Sequence, residues 1–285
     1  KMAVIGCGLI GGSMALSWKR AGIVDEVIAF GHNPATLQKA LDKGAADTVT
    51  TSMEEAVKDA DIVVSAVPVE AMESVFTEMA PFLKSDAVVT DVGSTRQTVI
   101  AAARKGLGDK FHQYAPAHPI AGGEMPGVDY ASADLFDEKV VISTPDEGMD
   151  PKVVTFIEEA WRKAGARVQA MSPLQHDLTF ASVSHLPHVL AYALVDMIAR
   201  EENAQEKLKM AGAGFRDFTR IASSSPVMWR DICLSNREAL SHELKRYRAS
   251  LDTLQKYIDE SDGKALESVF ENAVRNRRGL VFPGK

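Results

Sequence analysis

The chain has 285 residues, of which 46% are hydrophobic and 25% are charged, a composition typical of a globular protein with one large or two smaller domains. The formal net charge is −7, and the sequence contains no basic cluster, which argues against a nucleic-acid partner. Two cysteines outside any CxxC spacing indicate no cysteine metal site and favour a reducing compartment, so we expect a cytoplasmic protein. Because no run of 18 apolar residues occurs, we expect no contact with a membrane.

Short apolar runs alternate with helix-compatible stretches in the first half of the chain. Continuous apolar strands separated by helices predict a parallel sheet that is covered on both faces. The predicted strands are residues 2–5, 26–30, 62–66, 87–90 and 139–142. The predicted helices are residues 9–21, 34–43, 70–83 and 95–105.

The pattern changes after about Ala170, where strand signals end. Ser172 and Pro173 are typical of an N-cap and a first helical residue. Residues 235–257 predict an amphipathic helix, with one apolar face formed by Leu240, Leu244, Tyr247, Leu251, Leu254 and, just beyond, Ile258. The sequence therefore predicts a Rossmann-type, doubly wound α/β domain with a mainly parallel sheet over residues 1–170, followed by an all-helical domain over residues 171–285.

A glycine-rich loop with the spacing GxGxxG directly follows the first predicted strand. Its glycines are Gly6, Gly8 and Gly11. Such glycines permit a tight turn and a close approach of the backbone to a pyrophosphate, which the following helix N-terminus favours electrostatically. The loop therefore predicts dinucleotide binding by the backbone, including Leu9 and Ile10. The alternative is a glycine-rich turn that has lost its ligand.

The end of the second predicted strand bears on which dinucleotide is bound. An NAD-binding protein usually carries an acidic residue there, whereas this chain has Gly31, His32 and Asn33. The missing carboxylate favours NADP over NAD, although Gly31 as a simple turn residue with little discrimination is an alternative. The residues that follow the strand at 62–66 are also expected to line the cofactor cleft: Ala66, Val67 and Pro68.

His118 follows an apolar run and is expected at a strand end in the cofactor cleft. A neutral imidazole there can take a proton from a substrate hydroxyl while a hydride leaves the same carbon. A packing role is the alternative, and the residues alone leave both open. His185 and His188 lie three apart on an apolar helix with no Glu or Cys nearby, so no metal site is predicted. His176 has no motif around it and receives no role.

The segment at 211–231 places Arg216, Arg220 and Arg230 among apolar and aromatic residues. Arginines in such surroundings suit bidentate binding of a carboxylate. Surface arginines paired with Asp217 and Asp231 are the alternative, and this pattern does not decide between the two interpretations.

Six segments in this order resemble the prephenate/arogenate dehydrogenase family of tyrosine biosynthesis: GLIGGS (8–13), VPVEAM (67–72), TDVGST (90–95), HPIAGGE (118–124), SHLPH (184–188) and GFRDFTRIASSSPVMW (214–229). The similarity extends from Met2 to about Leu254. It implies a nucleotide-binding domain, a helical domain that forms a homodimer, and an active site between the two. The implied reaction is the oxidative decarboxylation of a small molecule, prephenate or arogenate, with hydride transfer to NAD(P)+.

The resemblance also implies residue roles. His118 would be the catalytic histidine that hydrogen-bonds the ring hydroxyl, and Ser94 would orient it. Arg220 would bind a substrate carboxylate. The remaining implied substrate-site residues, some of them contributed by the partner subunit, are His188, Ser184, Glu124, Arg216, Asp217 and Trp229.

Two alternatives to this family have sequence arguments against them. A β-hydroxyacid dehydrogenase typically carries a catalytic lysine on the first helix of its helical domain, and residues 174–200 contain no lysine. A related two-domain enzyme such as a pyrroline-carboxylate reductase remains an alternative on fold alone. A nucleotide-sensing protein without catalysis has no need of His118, Ser94 and Arg220 together.

Overall fold

A six-stranded parallel sheet organises the first half of the chain in the computed structural model, which describes residues 1–123 and 125–280. The strand order is β3-β2-β1-β4-β5-β6, so the order reverses between β1 and β4. In open α/β sheets, ligands bind in the crevice at such a switch point, beyond the carboxyl ends of the strands. The strands are β1 (Met2–Ile5), β2 (Val27–Phe30), β3 (Thr48–Thr50), β4 (Ile62–Ser65), β5 (Val88–Asp91) and β6 (Tyr114–Ala115).

Helices cover both faces of this sheet, as the apolar strands predicted. Along β1, Met2 and Val4 enter one hydrophobic core while Ala3 and Ile5 enter the other, because successive side chains point to opposite faces. Every residue of β1 is buried. The helices are α1 (Leu9–Arg20), α2 (Pro34–Asp42), α3 (Met53–Val57), α4 (Met72–Met79) and α5 (Gln97–Leu107).

A second, three-stranded sheet differs from the predicted single sheet. It contains β7 (Ala117–Pro119), β8 (Val140–Ser143) and β9 (Arg167–Ala170), and α6 (Pro151–Lys163) connects β8 to β9. β7 is antiparallel to β8, and β8 is parallel to β9. The strand predicted at 139–142 therefore exists but belongs to this sheet. Between β6 and β7 lies Pro116, which has no N–H group to donate to a ladder.

Only helices follow β9 among the residues that the structure describes. Ser172 caps the first of them by accepting a hydrogen bond from the backbone N of Gln175 (3.1 Å), and Pro173 is its first residue, as predicted. A π-helical turn at Ala181–His185 joins α7 to α8. The helices are α7 (Pro173–Phe180), α8 (Leu186–Ala199), α9 (Ala204–Lys209), α10 (Ala213–Thr219), α11 (Pro226–Ser235), α12 (Arg237–Asp259) and α13 (Gly263–Arg278).

Several helices of this half expose apolar side chains. Leu240 of the predicted α12 face is buried, but Leu251 and Ile258 are 47% and 58% exposed. The continuous stretch Pro173–Ala199 is long and apolar enough to cross a membrane by length and composition alone. Of its most apolar 18-residue segment, 28% is buried in the structure. Core helices of soluble proteins meet the same criterion, so the expectation of no membrane contact stays a prediction.

The N-terminal end of α5 joins the two halves of the chain. The carboxylate of Asp177, on α7, accepts hydrogen bonds from the backbone N atoms of Arg96 (2.8 Å) and Gln97 (2.9 Å). An acidic side chain is favourable there because the first amides of a helix lack intrahelical partners. The hydroxyls of Thr95 and Ser235 lie 2.7 Å apart and add a second link.

A buried ion pair fixes the loop that leads into α5. Arg96 is fully buried and donates two hydrogen bonds to the carboxylate of Asp91 (2.7 and 3.1 Å) and one to the carbonyl oxygen of Gly93 (2.7 Å). The hydroxyl of Tyr114 also donates to Asp91. A buried pair of this kind needs such additional hydrogen bonds to offset desolvation. The result is a rigid loop that carries Ser94.

Candidate active site

Of the three glycines in the loop after β1, only the middle one, Gly8, has open space where a side chain would begin. At Gly6, where φ is +90°, an added Cβ would lie 2.7 Å from the carbonyl oxygen of Ala66. At Gly11 it would lie 2.5 Å from the carbonyl oxygen of Gly6. No atom lies within 4 Å of a Cβ at Gly8, and no side chain caps α1. This opening before the N-terminus of α1, next to Leu9 and Ile10, fits a pyrophosphate.

The ends of β2 and β4 flank this loop. Asn33 caps α2 by accepting a hydrogen bond from the backbone N of Ala35 (2.9 Å), while His32 is exposed with its ring edge-on to Phe30. A Cβ at Gly31 would meet Leu37 at 3.4 Å, a tolerable contact. Ala66, Val67 and Pro68 follow β4, and the first two pack against Gly6.

His118 lies in β7 and belongs to a chain of three hydrogen-bonded side chains. Its Nδ1 is 2.8 Å from Nε2 of His176, and Nδ1 of His176 is 2.9 Å from a carboxylate oxygen of Asp177. His176 is fully buried, and Phe180 packs against both imidazole rings. We refer to His118, His176 and Asp177 as the histidine relay.

Burial sets the ionisation of the histidine relay. Desolvation lowers the pKa of His118 well below its usual value near 6.5, with smaller contributions from His176 and the Arg96 guanidinium. Burial also lowers the pKa of His176, although Asp177 opposes the effect. Burial acts to raise the pKa of Asp177, but hydrogen bonds from His176 and two backbone amides outweigh it, and the pKa is lowered. At neutral pH, two neutral imidazoles therefore lie beside one carboxylate.

A second cluster brings together four residues that the sequence implicated. The His188 ring stacks on buried Trp229, with centroids 3.6 Å apart and planes inclined by 20°. Nδ1 of His188 is 2.9 Å from the carbonyl oxygen of Ser184, so it carries the proton and donates. Burial lowers the pKa of His188, and the nearby positive charge of Arg220 lowers it further.

His185 links this cluster to the histidine relay. Its Nδ1 accepts a hydrogen bond from Nδ2 of Asn236 (3.1 Å), which also donates to the carbonyl oxygen of Asp177 (2.8 Å). The His185 ring lies 6.1 Å from that of Trp229. Burial lowers the pKa of His185 to about 4.

Other predicted site residues lie outside these clusters. Arg216 and Asp217 are 78% and 72% exposed and pair with each other at 3.4 Å on α10. The side chain of Arg230 is 61% exposed and pairs with buried Asp231 at 2.7 Å. Glu124 lies outside the described residues.

No motif in the sequence had indicated a role for His176 or Asp177. His176 is hydrogen-bonded to Nδ1 of His118 and so orients that ring, a task that the family resemblance had implied for Ser94. Ser94 itself is partly buried. Two adjacent titratable residues near the start of α7 were a signal for this pair that the sequence offered. No three His, Cys, Asp or Glu side chains converge as a metal site within residues 1–123 and 125–280.

A glycine loop at a sheet switch point, together with a half-buried neutral histidine in the same chain, is typical of a dinucleotide-dependent oxidoreductase. Residues 14–170 match the family description "Prephenate dehydrogenase, nucleotide-binding domain", and residues 172–272 match "Prephenate dehydrogenase, dimerization domain". The chain belongs to the prephenate dehydrogenase family, as the sequence motifs predicted.

Characterised relatives agree with this assignment. The chain is 36% identical to a cyclohexadienyl dehydrogenase of Zymomonas mobilis, over 98% of this chain and 95% of the relative. It is 35% identical to a prephenate dehydrogenase of Bacillus subtilis, over 98% and 76%. The crystal structure of Aquifex aeolicus prephenate dehydrogenase with hydroxyphenyl propionate and NAD+ is 35% identical, with a TM-score of 0.89 over 97% of each chain.

The glycine loop offers a matched pair of substitutions. We expect Gly8→Ala to fold with a stability change within about 0.5 kcal/mol, because its Cβ meets open space, and to bind dinucleotide weakly. Gly6→Ala should destabilise the fold by about 1–3 kcal/mol, because of its positive φ and the contact with Ala66. Urea unfolding and calorimetric titration with NAD+ and NADP+ measure both. Tight dinucleotide binding by Gly8→Ala would contradict the assignment of this space.

Buried neutral histidines should make stability fall in acid. Below about pH 6.5 the unfolded chain binds protons that the folded chain does not, so the free energy of unfolding decreases with falling pH. For His185 this window extends down to about pH 4. We expect His185→Gln to flatten the dependence by up to about 1.4 kcal/mol per pH unit in urea titrations between about pH 7 and 5. An unchanged slope would show that His185 is protonated in the fold.

Proposed function

We propose that this chain catalyses the oxidative decarboxylation of prephenate or arogenate with NAD(P)+, giving 4-hydroxyphenylpyruvate or tyrosine and CO2. The observation that carries the proposal is the neutral His118, held by His176 in a protein with a dinucleotide-type glycine loop. The relatives named above, a cyclohexadienyl and a prephenate dehydrogenase, support the same class of substrate.

His118 accepts the proton of the substrate's ring hydroxyl in this reaction. A nicotinamide, when bound, would accept the hydride from the carbon that bears this hydroxyl. The resulting dienone loses its ring carboxylate as CO2, and the electrons of the broken C–C bond complete the aromatic ring. The proton on His118 then returns to the ring oxygen. Because aromatisation is strongly favourable, the protein has mainly to position the substrate and move this one proton.

Arg220 supplies positive charge for a substrate carboxylate, next to the stacked His188 and Trp229. Contact with the side-chain carboxylate, not the ring carboxylate, would avoid stabilising the group that must leave. Arginine suits this task because its guanidinium can bind both carboxylate oxygens. The other proposed substrate-site residues are Ser94, Ser184, Glu124, Arg216 and Asp217.

The proposed assembly is a cytoplasmic homodimer through the helical domain, with the domain boundary near residue 170. Support comes from the description "dimerization domain" for the family matched by residues 172–272. The exposed apolar side chains of α12, Leu251 and Ile258, are available for burial by a second copy. Two free cysteines fit a reducing compartment.

NADP is the proposed preferred cofactor, because no carboxylate at 31–33 is present to bind a ribose hydroxyl or repel a 2′-phosphate. We expect Gly31→Asp to shift the NADP/NAD ratio of kcat/KM towards NAD by about tenfold or more. The added carboxylate can bind the ribose 2′-hydroxyl of NAD and repel the 2′-phosphate of NADP. Gly31→Ala, which adds a Cβ without charge, is the matched control. An unchanged ratio in Gly31→Asp would show that residues other than Gly31 determine the preference between NADP and NAD.

Initial rates with prephenate and arogenate, each with NAD+ and NADP+, test the proposed reaction. We expect turnover with at least one pair, and a loss of about 10²–10⁴-fold in kcat for His118→Asn, the range for a general base. Substrate binding should persist in this variant. His112→Asn, at an exposed 3₁₀ turn, is the control and should keep normal rates. Near-normal turnover by His118→Asn would show that His118 is not the general base.

A further inference from the structure

The carboxylate end of the histidine relay fixes where its protons lie. Asp177 is ionised, since its pKa is lowered, and a carboxylate can only accept hydrogen bonds. It already accepts from the backbone N atoms of Arg96 and Gln97. The atom of His176 that faces it, Nδ1, must therefore carry the proton and donate.

The proton on Nδ1 of His176 determines the tautomer of the next ring. A neutral imidazole with one protonated nitrogen has a lone pair on the other, so Nε2 of His176 accepts. The group 2.8 Å from it is Nδ1 of His118, which must be the donor. His118 then has its lone pair on Nε2, the nitrogen that must accept the substrate's hydroxyl proton.

The surroundings of the histidine relay keep its hydrogen-bond partners in place. His176 and Asp177 are 0% and 1% exposed, so solvent does not replace either partner. Phe180 packs against both rings, and Asn236 holds the backbone carbonyl of Asp177. The acceptor is therefore presented to His118 by a helix whose position is fixed against the N-terminus of α5.

We infer that His176 and Asp177 are positioning residues that hold His118 in the tautomer whose Nε2 accepts the substrate hydroxyl. This role rests on the proposed function, although the tautomer itself does not. When His118 takes the proton, its Nδ1–H continues to donate to His176, and the negative charge of Asp177 stabilises the imidazolium through the intervening ring. An aspartate has the corresponding task in serine-protease triads, where it fixes the histidine tautomer without becoming protonated.

Nitrogen-15 NMR of the free, full-length protein with labelled histidine tests the tautomer without any substrate. His118→Asn identifies the His118 signals by their loss. We expect protonated Nδ1 and bare Nε2 on His118, and the same state in His176→Gln, whose amide oxygen can replace the acceptor. His176→Leu removes the acceptor and should change the tautomer. A proton on Nε2 of His118 in the unsubstituted protein would overturn the inference, and that measurement stands if His176→Leu does not fold.

Kinetics separate positioning from general structure. We expect His176→Leu to lose about 10²-fold in kcat with KM changed less than about threefold, and His176→Gln to recover most of kcat. Thermal unfolding of both variants checks their stability, and exposed His112→Leu is the control. Equal losses in the two variants, or a change in KM alone, would contradict the role. Turnover of neither prephenate nor arogenate would refute the proposed function, while NMR would still decide the tautomer.

Discussion

The structure depends on the carboxylate of Asp177 at the N-terminus of α5. Two backbone amides at the start of this helix require acceptors, and a side chain from the helical half of the chain provides them. The same carboxylate accepts from His176. One buried charge thus docks the helical domain on the sheet domain and orients the imidazole that contacts His118. Buried charges are retained where every lone pair is used in this way.

This arrangement supports the proposed position of the active site between the two domains. The sheet domain contributes the open glycine loop and His118, while the helical domain contributes His176 and the stacked pair His188 and Trp229. Neither half holds both the dinucleotide loop and the residues proposed for substrate binding. The accepting tautomer inferred for His118, the proposed base, would therefore form only when the two domains are docked.

The features that local sequence patterns predicted are those determined by interactions between residues close together in the chain. The GxGxxG spacing, the apolar strands and the Ser172–Pro173 helix start all depend on neighbours in the chain, and the structure contains each of them. Family motifs predicted the grouping of Arg220, His188 and Trp229. The strand at 139–142 was assigned to the wrong sheet, because its pairing with β7 after Pro116 depends on contacts between residues far apart in the sequence. His176 was missed because its contact with His118 spans 58 positions.

A crystal structure with NADP+ and a phenolic product analogue would show which atom of His118 faces the reacting oxygen. We expect the ring hydroxyl within about 2.7–3.2 Å of Nε2 of His118, while Nδ1 of that ring remains hydrogen-bonded to His176. A hydroxyl bound away from His118, or a His118 ring turned so that Nδ1 faces the ligand, would show that His118 is not the proton acceptor in the inferred tautomer.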